Sequence, residues 1–292
     1  MARRSSSSRS RRRSSRSTTT STSTTQQVQQ TTVASTSSTS SSSRRYYRRK
    51  PVDTENWVSK HLEELIDRLG LDFLGLSREE LEQIVVKLVD ILRGEASTIN
   101  LDTIVRRFRR NLEHMHRIIA SMLLEMRDDY TEEQLEFIVN NIGDAVLAYA
   151  PKLYQKIVKL GKHDLLDRLR SEWMRAWITR KCPVLPVQCP VCGFHALMPD
   201  LTCLVCGSTV TEKQLKEFVN FNELLKDFVE TYPRDVVENT IKAGYVLLTS
   251  CGIKPPSERR EPLDIEVVLS TAEKEFLKKL LDERESNGSR NS

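Results

Sequence analysis

The sequence predicts a mainly α-helical protein: a multi-helix bundle with a small inserted or appended cysteine-rich unit, preceded by a disordered basic tail. Three observations support this fold class. Glycine is scarce, with 10 residues in a chain of 292. Apolar residues recur at helical spacings of three and four, and β-type alternation is rare. Several segments also open with the capping-box pattern, in which Ser or Thr is followed three positions later by Glu or Gln.

The first fifty residues differ in composition from the rest of the chain. They contain 27 Ser or Thr, eleven Arg, one Lys and no Asp or Glu, which gives a charge of +12. Residues 51–292 hold 33 basic and 40 acidic residues, a net charge of −7. Between Ser5 and Ser43 the apolar side chains are only Val28, Val33 and Ala34, too few to offset the entropy of ordering. We therefore predict a disordered tail over residues 1–50.

Helix signals are dense from Asp53 onward. The pattern predicts helices over 53–70, 77–94, 101–126, 131–150 and 163–181, and further helices that begin after Thr211 and after Ser270. A short apolar run at 265–269 predicts a strand. We divide the body into a helical domain 51–181, a cysteine-rich unit 182–210 and a C-terminal helical segment 211–292 that packs on the body.

The apolar residues of 101–126 recur with alternating steps of four and three. They are Leu101, Val105, Phe108, Leu112, Met115, Ile119, Met122 and Met126. This unbroken heptad seam predicts one helix of about 39 Å at 1.5 Å per residue. We expect it to be the central helix of the bundle. The same seam also suits a coiled coil between copies of the chain, and thus a homo-oligomer.

Arginines flank this seam in the stretch VRRFRR. They are Arg106, Arg107, Arg109 and Arg110. Intramolecular pairing or solvation is one interpretation of this cluster. The other is a face that binds phosphates, because guanidinium groups match phosphate geometry. The helix at 163–181 carries a second group of arginines, and we interpret its Trp173 and Trp177 as core residues.

A cysteine cluster interrupts the helical pattern at 188–207, QCPVCGFHALMPDLTCLVCG. Cys189 and Cys192 form one C-x-x-C-G motif, and Cys203 and Cys206 form a second, with ten residues between them. Each motif brings two thiolates onto one ion, and the glycine permits the left-handed turn that directs backbone N–H groups at sulfur. The spacing predicts a tetrahedral site with four sulfur ligands.

Residues 187–209 resemble a zinc ribbon. The resemblance implies a Zn²⁺ ion with a structural role, since four cysteines leave no open position for a catalytic water. Iron in a rubredoxin-like site is the alternative metal. From Cys182 to Thr211 the chain has no Lys or Arg, which disfavours nucleic-acid binding by the ribbon itself. Its apolar residues predict contact with neighbouring helices or with a protein partner: Phe194, Leu197, Met198, Leu201, Leu204 and Val205.

The tail is the main candidate for nucleic-acid binding. Its second basic cluster includes two tyrosines, and single-strand binders combine cations with aromatic rings in this way. The candidate residues are Arg11, Arg12, Arg13, Arg44, Arg45, Tyr46, Tyr47, Arg48, Arg49 and Lys50. A tail that is merely solvated, or that binds acidic protein surfaces, is the alternative interpretation.

The favoured function is that of a non-enzymatic, nucleic-acid-associated zinc-ribbon protein. Its basic tail binds RNA or DNA, and its body docks on a protein or ribonucleoprotein assembly. One alternative is a self-assembling structural or packaging nucleoprotein, such as a virion component. Another is an enzyme or enzyme subunit with an accessory ribbon. No P-loop, G-x-G-x-x-G, G-x-S-x-G or H-E-x-x-H motif occurs, so no catalytic residue is predicted.

The sequence also bears on location. No stretch approaches the roughly 18 apolar residues that a membrane span needs. The start MARRSSSSRSRRR lacks the apolar run of a secretory signal. We expect a cytoplasmic or nucleoid/nuclear protein that is not secreted. A Ser- and Arg-rich start without acids also matches an organelle transit peptide, which is an alternative.

Overall fold

The computed structural model describes residues 53–180 and 184–288, which form eleven α-helices, two short 3-10 helices and five short strands. The mainly α fold class is confirmed. The helices are α1 Thr54–Leu69, α2 Arg78–Arg93, α3 Leu101–Arg110, α4 Leu112–Met126, α5 Glu132–Asn141, α6 Val146–Leu160, α7 His163–Thr179, α8 Glu212–Phe218, α9 Phe221–Thr231, α10 Arg234–Ala243 and α11 Thr271–Gly288. The 3-10 helices are Asp72–Leu74 and Gly143–Ala145.

The strands form two small antiparallel sheets. Strands β1 Val187–Gln188 and β2 His195–Leu197 pair in the cysteine-rich unit. Strands β3 Tyr245–Thr249, β4 Gly252–Lys254 and β5 Ile265–Val268 form a second sheet in the order β4-β3-β5. The strand predicted at 265–269 is therefore confirmed as β5, which alternates buried and exposed residues. Strands β3 and β4 have no counterpart in the prediction.

The predicted capping boxes are present. The Ser77 hydroxyl accepts from the Glu80 N–H, and the Glu80 carboxylate accepts from the Ser77 N–H, at the start of α2. Thr131 with Gln134 and Thr211 with Gln214 make the same reciprocal pairs at α5 and α8. These bonds satisfy backbone donors that have no partner within the helix, and so fix where each helix begins.

The prediction of one continuous helix over 101–126 was wrong, because the helix is interrupted at Asn111. The Asn111 backbone has φ −116° and ψ 32°, outside the helical range, and separates α3 from α4. Its side-chain amide donates to the Arg107 carbonyl at 2.9 Å. Asn side chains compete in this way with regular helical bonding. The heptad pattern carried no signal for this local competition.

The break redistributes the heptad seam within the chain. Four seam residues are buried in the core of the chain itself: Val105, Phe108, Met115 and Ile119. Leu112, next to the interruption, is 44% exposed. The buried residues can join a coiled coil only by leaving this core. Self-association of the chain stays a prediction.

The helix predicted from Thr131 to Pro151 is also two helices. Helix α5 ends at Asn141, and Gly143 takes φ +53°, a left-handed conformation that glycine adopts at little cost. Pro151 lies inside α6 instead of ending a helix. A proline at this position removes one backbone hydrogen bond of the helix. The neighbouring residues Ala150 and Leu153 are buried in the core, and their packing offsets this loss.

All described residues belong to one compact unit, Arg49–Ser292. Helix α1 packs on α2 and α3, and α6 runs along α7. In the C-terminal part, α9, α10 and α11 pack on one another, while α9 contacts β4 and α10 contacts β3. None of the described helices combines the length and apolar character of a membrane span.

The split seam makes a stability prediction. Phe108→Ala removes a side chain that is 2% exposed, and we expect the free energy of unfolding to fall by about 3–5 kcal/mol. Leu112→Ala, at the exposed seam position, is the matched control and should change it by no more than about 0.5 kcal/mol. Urea unfolding followed by circular dichroism measures both. Equal losses would contradict the break at Asn111.

Candidate metal centre

Two knuckles with the same backbone bonding position the four cysteines. The Gly193 N–H donates to the Cys189 carbonyl at 2.9 Å, and the Gly207 N–H donates to the Cys203 carbonyl at 2.9 Å. Likewise, the N–H of Cys189 donates to the Phe194 carbonyl at 2.8 Å, and the N–H of Cys203 to the Ser208 carbonyl at 3.0 Å. Gly193 and Gly207 have φ +76° and +71°, which explains glycine after each second cysteine.

The knuckles bring the four sulfur atoms together. The Sγ atoms of Cys189 and Cys206 are 3.9 Å apart, and those of Cys192 and Cys203 are 3.6 Å apart. All four lie within 4.8 Å of one another. Metal–sulfur bonds of about 2.3 Å in a tetrahedron place the sulfurs about 3.8 Å apart. The four cysteines therefore form a cluster whose geometry fits a metal ion, as the sequence predicted.

This cluster stands alone in the part of the chain that the structure describes. Within residues 53–180 and 184–288, no other group of three or more His, Cys, Asp or Glu side chains has such an arrangement. Cys189, Cys192 and Cys203 are buried, and Cys206 is half-buried. A bound ion is thus held away from bulk water by the fold.

The protonation of the cysteines is coupled through one S–H···S hydrogen bond. The sulfur atoms of Cys192 and Cys203 share this bond at 3.6 Å, and it lowers the pKa of Cys203 to about 5. The same bond, followed by burial, raises the pKa of Cys192. Burial raises the pKa of Cys189 to about 11. Since metals bind the thiolate form, loading of the site must displace the protons held at these sulfurs.

Helix α7 holds the first knuckle from outside. Arg170 donates through Nε and Nη2 to the Cys192 carbonyl oxygen, at 2.8 and 2.6 Å. The Trp173 indole N–H donates to the His195 carbonyl at 2.9 Å, and the Trp177 indole N–H donates to the Val184 carbonyl at 2.7 Å. Trp173 is buried, as the core interpretation predicted. The bonds of Trp173 and Trp177 to the ribbon were not predicted.

Aromatic packing completes this contact. The Phe194 ring lies edge-on to Tyr154 of α6 and to Trp173 of α7, with centroid distances of 5.9 and 6.2 Å. Burial raises the pKa of the Tyr154 hydroxyl. The sequence contained a signal for this contact between α7 and the cysteine-rich unit. Arg170, Trp173 and Trp177 are spaced by three and four residues and therefore share one helix face.

The apolar ribbon residues divide between the core and the surface. Phe194, Leu197 and Val205 are buried within the chain, which confirms contact with neighbouring helices for these three. Met198 and Leu201 are half-buried. Leu204 is 47% exposed and Val191 of the first knuckle is 59% exposed. Val191 and Leu204 are therefore the apolar side chains that the two knuckles leave exposed.

The other cysteines stand apart from the cluster. Cys251 is exposed at the turn between β3 and β4, and it bonds weakly with Ser250. Cys182 lies outside the described residues. His195, in β2, contacts the Pro186 carbonyl through Nδ1 at 3.1 Å and does not belong to the cluster.

The candidate nucleic-acid residues of the body lie on α3. Arg106, Arg109 and Arg110 are exposed, and their side chains make no hydrogen bond or ion pair within the described ranges. Arg107 is engaged differently, because its Nη1 donates to the carbonyls of Leu92 and Arg93 at the end of α2, at 2.5 and 3.3 Å. The following candidates lie outside the described residues: Arg11, Arg12, Arg13, Arg44, Arg45, Tyr46, Tyr47, Arg48, Arg49 and Lys50.

The arginines of α7 are paired within the chain. Arg168 contacts Glu136 and Asn140, and Arg175 contacts Glu172. Arg180 donates to the Asp144 carbonyl. These side chains have partners in the folded protein, in contrast to Arg106, Arg109 and Arg110 within the described residues.

Comparison with known proteins gives no relative for this chain. No protein-family model, curated protein or solved structure matches it. The four-cysteine geometry therefore has to carry the description of the site.

The ligand assignment is tested by Cys203→Ser. Loss of one of four sulfur ligands should abolish stoichiometric metal binding, because structural sites of this kind contribute roughly 10–16 kcal/mol of apparent binding free energy in peptides. Metal content by inductively coupled plasma mass spectrometry measures the effect. Cys251→Ser is the control and should leave the metal content unchanged, since Cys251 lies outside the cluster. A metal-replete Cys203→Ser variant would contradict the assignment.

Proposed function

We propose that this chain is a non-enzymatic, nucleic-acid-associated protein whose cysteine cluster holds a structural Zn²⁺ ion. In this function, the basic tail and a surface of α3 bind the phosphates of RNA or DNA, and the rest of the body docks on a protein or ribonucleoprotein assembly. The observation that carries the proposal is the group of three arginines on α3 that have no partner in the described residues.

The three arginines differ from most arginines of the body. Other arginines of the body bind carboxylates or carbonyls, as Arg117 does with Glu113 and as Arg68 does with Asp102 and Glu64. Among the described arginines, only Arg259 shares with them the lack of a side-chain partner. An excess of acids in residues 51–292 would favour pairing, so three free guanidinium groups together favour an external anion.

The spacing of these arginines suits a phosphate backbone. Arg106 lies one helical turn before Arg109 and Arg110 on the same side of α3. Guanidinium groups bind phosphate in a bidentate manner. Beside them, Phe108 is buried, so no aromatic ring of α3 is available to stack on a base. We therefore expect phosphate contacts without sequence readout at this surface.

Zinc is the proposed ion because four thiolates in a closed tetrahedron favour it over harder cations. Its role is structural, since all four positions are filled by protein. The tail, with its twelve cations and no acid, supplies the larger part of the electrostatic attraction. A cytoplasmic or nucleoid/nuclear location follows from this partner.

The nucleic-acid proposal is tested with three variants in a binding titration against a fluorescent duplex and a single strand at several salt concentrations. Deletion of residues 1–50 should weaken binding to both. Arg106→Gln, Arg109→Gln and Arg110→Gln together should reduce the salt slope on the duplex by about 2.7, at about 0.9 for each neutralised phosphate.

The matched control is the triple change Arg168→Gln, Arg175→Gln and Arg234→Gln. It removes the same charge from three exposed arginines that pair with carboxylates. We expect little change in its salt slope, because the paired charges are already compensated. Equal effects of the two triple variants would show a response to net charge only and would refute the α3 surface.

Docking on a protein assembly is tested by co-purification at low and high salt, with and without nuclease. A partner that binds the body directly should remain after nuclease treatment and in high salt, where contacts through phosphates are screened. Val191→Ser with Leu204→Ser should release it, because these are the exposed apolar residues of the knuckles. Complete loss after nuclease treatment would mean that nucleic acid alone bridges the two proteins.

A further inference from the structure

A loaded four-thiolate site carries excess negative charge. A divalent ion on four thiolates leaves a net charge of about −2 at the centre. Three of the four sulfurs belong to buried residues, where such a charge is poorly solvated. Residues 184–211 contain no Lys or Arg, and Asp200 adds a further negative charge. A compensating cation must therefore come from outside the ribbon.

Arg170 of α7 is a cation that contacts this unit. Its Nε and Nη2 share the Cys192 carbonyl oxygen, and its guanidinium carbon lies 5.8 Å from the centre of the Phe194 ring. The remaining nitrogen, Nη1, donates to Asp167 at 2.6 Å. Asp167 lies one turn earlier on the same helix and so fixes the orientation of the guanidinium group.

The guanidinium group also packs directly on the knuckle glycine. A Cβ atom built on Gly193 would lie 3.1 Å from Arg170 Nε and 3.2 Å from its Cζ. Gly207, the equivalent residue of the second knuckle, would meet nothing within 4 Å. Two knuckles with matching backbone bonds and similar φ angles therefore differ in their contact with α7, because Arg170 covers only the first.

We propose that Arg170 is a positioning residue of the metal centre that compensates its charge and holds the first knuckle in the metal-binding conformation. Side chains that support metal ligands in this way affect metal affinity about 10–100-fold. The inference rests on the metal site of the proposed function. It goes further in assigning the affinity of that site in part to a helix outside the ribbon.

The test compares Arg170→Gln with the native chain by competition for Zn²⁺ against a chromophoric chelator. We expect the apparent affinity for Zn²⁺ to fall about 10–100-fold. The Zn²⁺ affinity of Arg170→Lys should lie between those of the native chain and Arg170→Gln, because lysine keeps the charge but loses the planar pair of donors. Arg168→Gln is the control on the same helix, since Arg168 contacts Glu136 and Asn140 instead of the ribbon. It should bind as the native chain does.

A second comparison separates this role from a general loss of stability. Gly193→Ala and Gly207→Ala impose the same left-handed strain, but only Gly193→Ala displaces Arg170. In the native background Gly193→Ala should therefore weaken Zn²⁺ binding more than Gly207→Ala does. In the Arg170→Gln background the two alanine variants should weaken it equally, which is the coupling that a double-mutant cycle measures.

The outcomes distinguish this inference from the proposed function. A native chain that binds no Zn²⁺ in the chelator competition overturns the metal assignment and this inference with it. A native chain that binds Zn²⁺, together with an Arg170→Gln variant of equal affinity, overturns only the role of Arg170. Co²⁺ absorption of Arg170→Gln should still show four thiolate ligands in a tetrahedron. If the Co²⁺ spectrum of Arg170→Gln showed a different ligand set, the loss of affinity would be due to misfolding, and the inference would be overturned.

Discussion

The convergence of four sulfur atoms is the constraint on which the cysteine-rich unit depends. Its two strands contain two and three residues, so backbone pairing contributes little regular structure. The two knuckles hold Cys189 and Cys203 by the same pair of backbone bonds, and the sulfurs meet at distances of 3.6 and 3.9 Å. The four cysteines could hold a metal ion at this point, and such an ion would join segments that a small core alone holds weakly.

The helical body and the ribbon are stabilised by each other. Phe194 and Leu197 of the ribbon are part of the same buried cluster as Leu153 of α6 and Leu169 of α7. Two indole N–H groups and one guanidinium group of α7 donate to backbone carbonyls of the cysteine-rich unit. A change in the knuckles is therefore expected to affect α7 as well.

The sequence predicted those parts of the fold whose signal is local. The capping boxes at Ser77, Thr131 and Thr211 are hydrogen bonds between side chains and backbone groups three residues away. The C-x-x-C-G motifs contain both the candidate ligands and the glycines of the turns. The predictions failed where several local tendencies compete. Asn111 interrupts an intact heptad pattern through its own side chain, and Gly143 ends a helix before the proline that was expected to end it.

The tertiary contacts of the site could not be predicted from local patterns. Arg170 shares one face of α7 with Trp173 and Trp177, but the sequence does not show that this face contacts the Cys192 carbonyl while Arg168 and Arg175 pair with carboxylates. Arg106, Arg109 and Arg110 of α3 make no side-chain hydrogen bond or ion pair with any described residue, and the sequence around them does not predict this. Arg107, in the middle of that group, instead binds the end of α2.

The placement of the tryptophans has an optical consequence. The chain contains three, and two of them, Trp173 and Trp177, donate their indole N–H groups to the ribbon backbone, while Trp57 stacks on His61 in α1. The environment of two indoles thus changes whenever the ribbon separates from α7. The protein contains its own fluorophores at this junction, and their emission reports on the ribbon without any added label.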